Sequence, residues 1–371
     1  MTQAIPVSAE GPPAVTPPEL GTTPVRRAGW RRLLVLGPLV ALVVTVLLPY
    51  LQIPLPGLLD GVSNTPGNLQ LFAVCLVFGG LAASYDLLFG RTGLLSFGHA
   101  LYFAAGIYGT DVLVTHAGLA LWQAAVFAVV GSTILAALLG AIALRTTGIA
   151  FAMVTLAFAQ VGAILVARDF GGLTGGEEGL PLDTARVPDF LLGVANTVNL
   201  YWLALAYLAV VVLVVSRVAA SPTGRVLAGL RDDERRVGVL GLDPYRYKLV
   251  AFTLAGALAS LGGVVYVLVV GGASPHVTSS ELTLSLLVMV VLGGPGTRWG
   301  PVLGGILYMY LDHRLTNVAT DLPGPLGEPL FVLGAIFILA VYFFPGGLAS
   351  LKSRLAPITA AFNRREPRTR T

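Results

Sequence analysis

Long apolar stretches alternate with short polar segments along most of this chain. Five charge-poor stretches approach or exceed the ~20 residues that a helix needs to cross a bilayer: 33–51, 69–89, 122–143, 149–167 and 249–270. Five further apolar stretches are shorter or interrupted: 94–114, 200–216, 282–293, 301–311 and 329–345. The pattern predicts an all-α polytopic membrane protein with about ten transmembrane helices.

Some of these stretches are too short for a straight crossing. Residues 282–293 and 301–311 are joined by Gly293-Gly294-Pro295-Gly296, and Gly98, Gly106 and Gly109 interrupt 94–114. Such segments indicate broken or re-entrant helices. Because transporters often carry paired broken segments in two related halves, we expect an inverted repeat of 69–167 and 200–311.

Composition supports a membrane protein and sets its domain limits. Hydrophobic residues make up 55% of the 371 and charged residues 11%, against about 25% charged in soluble domains. We interpret residues 1–32 as a disordered N-terminal tail, 33–346 as the membrane domain and 347–371 as a basic tail. The single cysteine, Cys75, lies in an apolar stretch, which leaves no disulfide framework or metal cluster.

The distribution of Lys and Arg orients the chain, since these residues are held on the cytoplasmic side. With the N-terminus inside and ten crossings, only Arg168, Arg186 and Arg314 of the 23 basic residues fall outside. We therefore expect a multi-pass protein with both termini in the cytoplasm.

The 217–248 loop carries eleven charged residues, the densest group between the first and last apolar stretches. Ser221-Pro222 is typical of a helix start and Gly241 of a helix end. One amphipathic helix is predicted between them, with an apolar face of four residues: Val226, Leu230, Val237 and Leu240. This face needs a partner, and the position of the loop favours a cytoplasmic protein.

Several motifs occur in the order found in one transporter family. They are Thr92-Gly93-Leu94-Leu95-Ser96-Phe97-Gly98-His99-Ala100, Gly148 to Phe158, Leu173-Thr174-Gly175-Gly176, Ser221-Pro222-Thr223-Gly224-Arg225, Leu240-Gly241-Leu242, Tyr247-Lys248-Leu249 and Val291 to Pro301. Over about residues 70–345 the chain resembles branched-chain amino acid ABC permeases of the M (LivM) type.

The resemblance implies one permease of an importer in a bacterial inner membrane that works by alternating access. Its partners would be a homologous H (LivH) type permease, two cytoplasmic ABC ATPases and an extracytoplasmic substrate-binding protein. ATP and Mg²⁺ would bind to the ATPases, and this chain, which has no G-x-x-x-x-G-K-[ST] loop, would hold no cofactor, metal or catalytic residue.

The resemblance also makes the 217–248 loop the element that couples to the ATPases. Arg225, Arg231, Glu234 and Gly241 are the coupling candidates; Arg235 and Arg236 replace the small residues usual in the family motif. An intrahelical Arg231–Glu234 pair would be weak, so both charges are interpreted as docking contacts.

Candidates for the substrate path are polar residues in or beside the apolar stretches. Ser96 and His99 would share one face of a helix and either line the path or form an interhelical hydrogen bond; hydrolysis by this pair lacks a third, orienting group. The other candidates are Thr155, Gln160, Thr174 and Gly175. Thr155 and Gln160 would either bind a zwitterion or serve as packing contacts. Thr174 and Gly175 would form a flexible turn that contacts the binding protein or shapes the outer mouth.

Two acids, Asp86 and Asp111, lie near the ends of apolar stretches and are interpreted as hydrated interfacial groups. The expected cargo is a branched-chain, hydrophobic amino acid. The alternatives are a permease for urea or short amides and, in a different class, an ion-coupled secondary transporter, which would need buried ionisable groups.

Overall fold

A computed structural model describes residues 45–50, 62–193, 196–319, 329–343 and 346–348. The predicted tail 1–32 and the basic tail beyond 348 lie outside the described residues, as does most of the first predicted span, 33–51. The chain divides into two units, 1–51 and 52–371. In the first unit, the described part ends in the 3₁₀ turn Leu48–Tyr50.

The second unit is helical. Its α-helices are α1 (Pro66–Thr92), α2 (His99–Thr115), α3 (Leu121–Ala143), α4 (Ile149–Ala167), α5 (Thr197–Ala220), α6 (Pro222–Asp232), α7 (Glu234–Val239), α8 (Pro244–Val270), α9 (Ser280–Gly293), α10 (Gly300–Ala319) and α11 (Pro329–Phe343). Two short strands, β1 (Leu180–Pro181) and β2 (Gly272–Ala273), form an antiparallel ladder. Among the described residues, α1, α3, α4, α5 and α8 are long and apolar enough to cross a membrane.

The connections fall at two ends of these helices. The β1–β2 ladder joins the loop after α4 to the segment after α8. At the other end, the backbone N–H of Gly296, between α9 and α10, contacts Asp86 near the end of α1. We call this second end, which also carries the 217–248 loop, the basic end.

The predicted spans match the helices closely, with two differences. Residues 301–311 are part of the 20-residue helix α10, so the prediction of a short span there is wrong. In the stretch 94–114, the interruption is confined to 93–98, and α2 runs unbroken through Gly106 and Gly109. Helix α9 has 14 residues, which confirms that the predicted stretch 282–293 is short. The count of ten crossings and the inverted repeat stay predictions.

Helices α1 and α8 form the core of this unit. In their most apolar segments 83% and 67% of the residues are buried, against 22% in α3 and in α4. Helix α1 packs against α5, α8 and α10, and α8 packs against α2 and α3. The glycines and alanines of α1 and α8 permit this close packing, since small residues allow membrane helices to approach closely.

Two glycines set the crossing of α2 and α8. A Cβ atom at Gly106 would collide with the carbonyl oxygen of Ser260, and one at Gly263 would collide with that of Phe103. Both obstacles are backbone atoms, which cannot rotate away as a side chain does. The crossing distance of these helices therefore depends on the absence of a side chain at both positions.

We expect Gly263→Ala to destabilise the protein by about 1–3 kcal/mol, the usual range for overpacking. Gly131→Ala in α3 is the matched control, because Gly131 has no neighbouring atom that a methyl group would touch. The control should be neutral or stabilising, since Ala favours a helix interior over Gly. Thermal unfolding in detergent measures both variants, and equal midpoints would contradict this account of the crossing.

Candidate functional site

The segment 93–98, between α1 and α2, is non-helical, with Ser96 and Gly98 buried and Gly93 exposed. It leaves α1 through Gly93, whose φ of 77° favours glycine. The hydroxyl of Tyr85 donates a hydrogen bond to the carbonyl oxygen of Ser96 (3.0 Å), and the backbone N–H of Gly98 donates to Ser96 Oγ (3.3 Å). These bonds compensate backbone groups that would otherwise be costly to bury.

Threonines of two other helices bond to this segment and to the start of α2. The backbone N–H of Phe97 donates to Thr155 Oγ1 in α4 (3.0 Å), and that of Ala100 donates to Thr283 Oγ1 in α9 (3.3 Å). Thr155 is buried, and its own hydroxyl donates to the carbonyl oxygen of Ala152. In this conformation Thr155 therefore anchors the broken segment, and its role in the substrate path stays a prediction.

His99 begins α2 and is fully buried. Its Nε2 lies 2.9 Å from Ser84 Oγ, and the Ser84 hydroxyl also lies 2.7 Å from the carbonyl oxygen of Leu81. Since a hydroxyl has one proton and Leu81 offers only an acceptor, Ser84 accepts from the Nε2–H tautomer of His99. In this tautomer Nδ1 carries the lone pair of the ring, and it has no hydrogen-bond partner within the described ranges.

The expected Ser96–His99 face is absent. Ser96 precedes α2, so the two residues do not lie on one helix, and His99 bonds to Ser84. The interhelical hydrogen bond is thus formed by a residue that the sequence did not single out. Both Ser96 and His99 are buried here, and their contact with substrate stays a prediction.

Gln160 lies on an exposed face of α4, among apolar side chains such as Met153 and Ile164. Its Nε2 donates to Ser280 Oγ at the start of α9 (2.5 Å). A polar pair on an otherwise apolar membrane-spanning surface is unfavourable against lipid. This position suits a surface that faces another subunit or a hydrated path.

Thr174 and Gly175 lie at the end opposite the basic end, in a turn closed by Asp169. Asp169 Oδ1 accepts from the backbone N–H groups of Thr174 (2.8 Å) and Gly175 (3.0 Å) and from Thr174 Oγ1 (3.1 Å). These bonds, led by the one from the Thr174 N–H, lower the pKa of Asp169 below its usual value. The turn expected from the sequence is present. The role of Asp169 in closing it was missed because the residue lies five positions before Thr174, outside the motif.

The 217–248 loop folds into two helices, so the prediction of one helix is wrong. Its start is as predicted: Ser221 Oγ accepts from the N–H of Gly224, and Pro222 is the first residue of α6. Asp233 is extended (φ −162°, ψ 105°) and ends α6. Its carboxylate then caps α7 by accepting from the backbone N–H groups of Arg235 and Arg236, which have no partner within the helix.

The apolar face of this loop also differs from the prediction. Leu227, Leu230 and Val237 are buried, whereas Leu240, expected on the same face, is 76% exposed. Val239 beside it is 88% exposed. Gly241, with φ 80°, follows α7 as expected. The loop therefore packs one apolar side onto its own chain and presents a second, smaller apolar surface at its tip.

Two of the three charged coupling candidates, Arg231 and Glu234, have side-chain partners within the chain. Arg231 Nη1 donates to the carbonyl oxygen of Gly90 at the end of α1. Glu234 Oε2 lies 2.6 Å from Nζ of the buried Lys248 in α8. The intrahelical Arg231–Glu234 pair is not formed, because the two residues lie on different helices. Arg225 is exposed.

A buried carboxylate that the sequence analysis misjudged lies beside Arg231. Asp86 is 1% exposed, so its interpretation as a hydrated interfacial group is wrong. Its Oδ1 accepts from the N–H of Gly296 (2.7 Å), and its Oδ2 lies 3.4 Å from Arg91 Nε. Arg91 Nη2 also donates to the carbonyl oxygen of Thr297 (3.4 Å). An acid inside an apolar stretch needs such partners. In the sequence, Arg91 five residues later was the feature that indicated a buried ion pair.

Asp111 was misjudged in the same way. It is fully buried in α2, where Oδ1 accepts from Thr115 Oγ1 (3.2 Å). Its Oδ2 has no hydrogen-bond partner in the part of the chain that the structure describes. The sequence places both acids near span ends, but helices α1 and α2 are enclosed there by their neighbours.

Comparison with known proteins finds similar permease proteins. The chain is 28% identical over 305 residues to the high-affinity branched-chain amino acid transport system permease protein LivM of Salmonella typhimurium, covering 76% of this chain and 70% of the relative. It is 27% identical over 164 residues to a probable branched-chain amino acid transport permease protein LivM of Methanocaldococcus jannaschii, covering 42% of this chain and 48% of the relative.

A relative with a different name covers a smaller part. The autoinducer 2 import system permease protein LsrC of Yersinia enterocolitica is 29% identical over 182 residues, which are 47% of this chain and 48% of the relative. Residues 68–341 match the family described as the permease component of the branched-chain amino acid transport system. This match includes every helix from α2 to α10, and the chain is therefore a multi-pass membrane protein that belongs to the family of branched-chain amino acid transport system permease components.

Proposed function

We propose that this chain is one permease subunit of an ABC importer that carries branched-chain amino acids across a bacterial inner membrane by alternating access. A homologous permease subunit would complete the path, two ATPases would bind ATP and Mg²⁺, and a binding protein would deliver the cargo. The exposed apolar tip of the 217–248 loop is the observation that carries this proposal.

The tip, Val239 and Leu240, lies on a loop rich in charged residues rather than on a membrane-spanning surface. Large apolar side chains on such a loop are stabilised when a partner protein removes them from water. Arg235 and Arg236 are exposed beside the tip, so its rim is basic. We assign this surface to the ATPase, with the basic end of the protein facing the cytoplasm.

The companion permease and the path are assigned to the exposed face of α4 and α9. Gln160 and Ser280 place polar groups on this face, and only 22% of the apolar segment of α4 is buried. A second permease subunit would cover the apolar positions and leave the polar pair beside the cargo. The zwitterionic head of an amino acid needs such hydrogen-bonding groups.

The identity of the cargo is the most specific part of the proposal. A relative named for autoinducer 2 import covers nearly half of the chain, so membership of the family is compatible with chemically different solutes. Titrating the cognate binding protein with leucine, urea and short amides tests the cargo. Affinity for urea alone would replace branched-chain amino acids as the substrate.

The rival class, an ion-coupled transporter, has a direct test. The purified chain alone in ion-loaded vesicles without ATP should not accumulate solute. Accumulation there would remove the ABC assignment. Cleavage near residue 230 by a protease added outside intact cells would contradict the cytoplasmic placement of the 217–248 loop.

We expect Leu240→Glu to abolish co-purification of the ATPase subunits with this chain. The substitution places a charge in the proposed apolar contact, where an unpaired buried charge is strongly unfavourable. Leu240 is exposed in the isolated chain, so its folding should be unchanged. Affinity purification of the tagged permease followed by quantification of bound ATPase measures the effect.

Phe190→Glu is the matched control for this prediction. Phe190 is also an exposed large apolar residue (60% exposed), but it lies at the end opposite the basic end. This control should retain the ATPases. Normal ATPase recovery with Leu240→Glu would remove the tip as the docking surface.

A second prediction concerns the path. Gln160→Leu should lower uptake of labelled leucine into proteoliposomes about tenfold, which corresponds to about 1.4 kcal/mol lost from one hydrogen bond to the cargo. Basal ATP hydrolysis should remain. Ile164→Leu, on the same exposed face of α4, preserves an apolar surface and serves as control. Wild-type uptake in Gln160→Leu would identify the residue as a packing contact.

A further inference from the structure

Three separate elements meet around Asp86 at the basic end: the end of α1, helix α6 and the loop between α9 and α10. We call Gly293-Gly294-Pro295-Gly296-Thr297 the Gly-rich loop. Asp86 Oδ1 accepts from the Gly296 N–H (2.7 Å), and Arg91 approaches both the Asp86 carboxylate and the Thr297 carbonyl oxygen. The loop is thus held to α1 by two charge-assisted hydrogen bonds, which are stronger than neutral ones, and the ion pair within α1 keeps Asp86 and Arg91 side by side.

Helix α6 joins this contact through Arg231. Its guanidinium donates to the carbonyl oxygen of Gly90, one turn after Asp86. A Cβ atom at Gly296 would lie 2.8 Å from both Arg231 Nη1 and the Gly90 oxygen. The loop, the end of α1 and the Arg231 side chain therefore touch without intervening space, and displacement of any one of them must move or break the others.

We propose that Asp86 and Arg231 form a joint that passes movement of α6 to the Gly-rich loop and through it to α9. This inference rests on the proposed function, because it requires α6 to be moved by an ATPase. Asp86 is assigned as a positioning residue: it touches no cargo or nucleotide and acts by holding the loop.

The Gly-rich loop is suited to transmit such a movement. Gly294 (φ 107°) and Gly296 (φ 76°) adopt backbone conformations that favour glycine. Helix α9, which precedes the loop, has 14 residues. Because packed helices shift as rigid elements, a displacement of the Gly-rich loop at one end of this short helix would move its other end as well.

The far end of α9 meets the proposed path. Ser280 Oγ accepts from Gln160, and Thr283 Oγ1 accepts from the N–H of Ala100 beside the broken segment. A displacement of α9 would change both contacts. The joint at one end of α9 and the polar face at the other thus connect the proposed ATPase surface to the proposed path by direct contacts.

Asp86→Asn tests the joint in the complete transporter, with companion permease, ATPases and binding protein, reconstituted in proteoliposomes. The amide oxygen can still accept from Gly296, but the attraction to Arg91 is lost. We expect basal ATP hydrolysis to remain, while its stimulation by leucine-loaded binding protein and leucine uptake both fall about tenfold, within the usual range of coupling between sites.

Arg231→Ala should give the same uncoupling, and Arg231→Lys, which keeps a cationic donor, should restore part of the stimulation. Arg231 lies at an exposed position, so its removal does not threaten folding, and this variant decides the test if Asp86→Asn fails to assemble. Asp183→Asn is the control: it neutralises an Asp with an Arg at i+3 (4.0 Å) at the opposite end and should leave ATPase stimulation unchanged.

The outcomes separate this inference from the proposed function. A wild-type complex without ATP-driven uptake overturns the proposed function itself. Full stimulation and uptake in Asp86→Asn or in Arg231→Ala overturn the joint alone. Loss of bound ATPases in Arg231→Ala also overturns it, because Arg231 would then be a docking contact rather than a link to the Gly-rich loop.

Discussion

The non-helical segment 93–98 depends on one constraint: backbone polar groups within a membrane protein must find partners inside the protein. Tyr85 and Thr155 supply these partners from two different helices, and Thr283 of a third helix bonds to Ala100 directly after the segment. Each donor or acceptor fixes one helix relative to the break. The interruption of the chain therefore holds α1, α4 and α9 together, and polar residues inside the spans serve packing as well as function.

The same constraint applies to the buried charges. Asp86 is enclosed between α1 and the Gly-rich loop, where a carboxylate is stable only with the Gly296 N–H and Arg91 beside it. Lys248 is likewise buried and paired with Glu234. At the basic end, the Asp86–Gly296 hydrogen bond connects α1 to the Gly-rich loop, and the Lys248–Glu234 pair connects α8 to α7. The 217–248 loop is consequently attached to the spans by directed contacts, which distinguishes it from an independent surface loop.

Spans and motifs were predictable because their signals are local. A run of apolar residues defines a crossing without reference to the rest of the chain, and α4 has the bounds that its apolar run predicted. Helix caps at Ser221 and Gly241 are local in the same sense. The break at Asp233 was missed because three acids in a row resemble a solvated helix face, and only the cap geometry shows that a second helix starts there.

By itself, the sequence determined the class of the protein, the positions of most spans and the residues that carry the family motifs, since these follow from local composition and order. The tertiary structure decided which polar residues are buried together. Ser84 rather than Ser96 bonds to His99, and Gly90 rather than Glu234 bonds to Arg231. These partners come from other helices, and a contact between distant segments depends on packing geometry that no local pattern encodes.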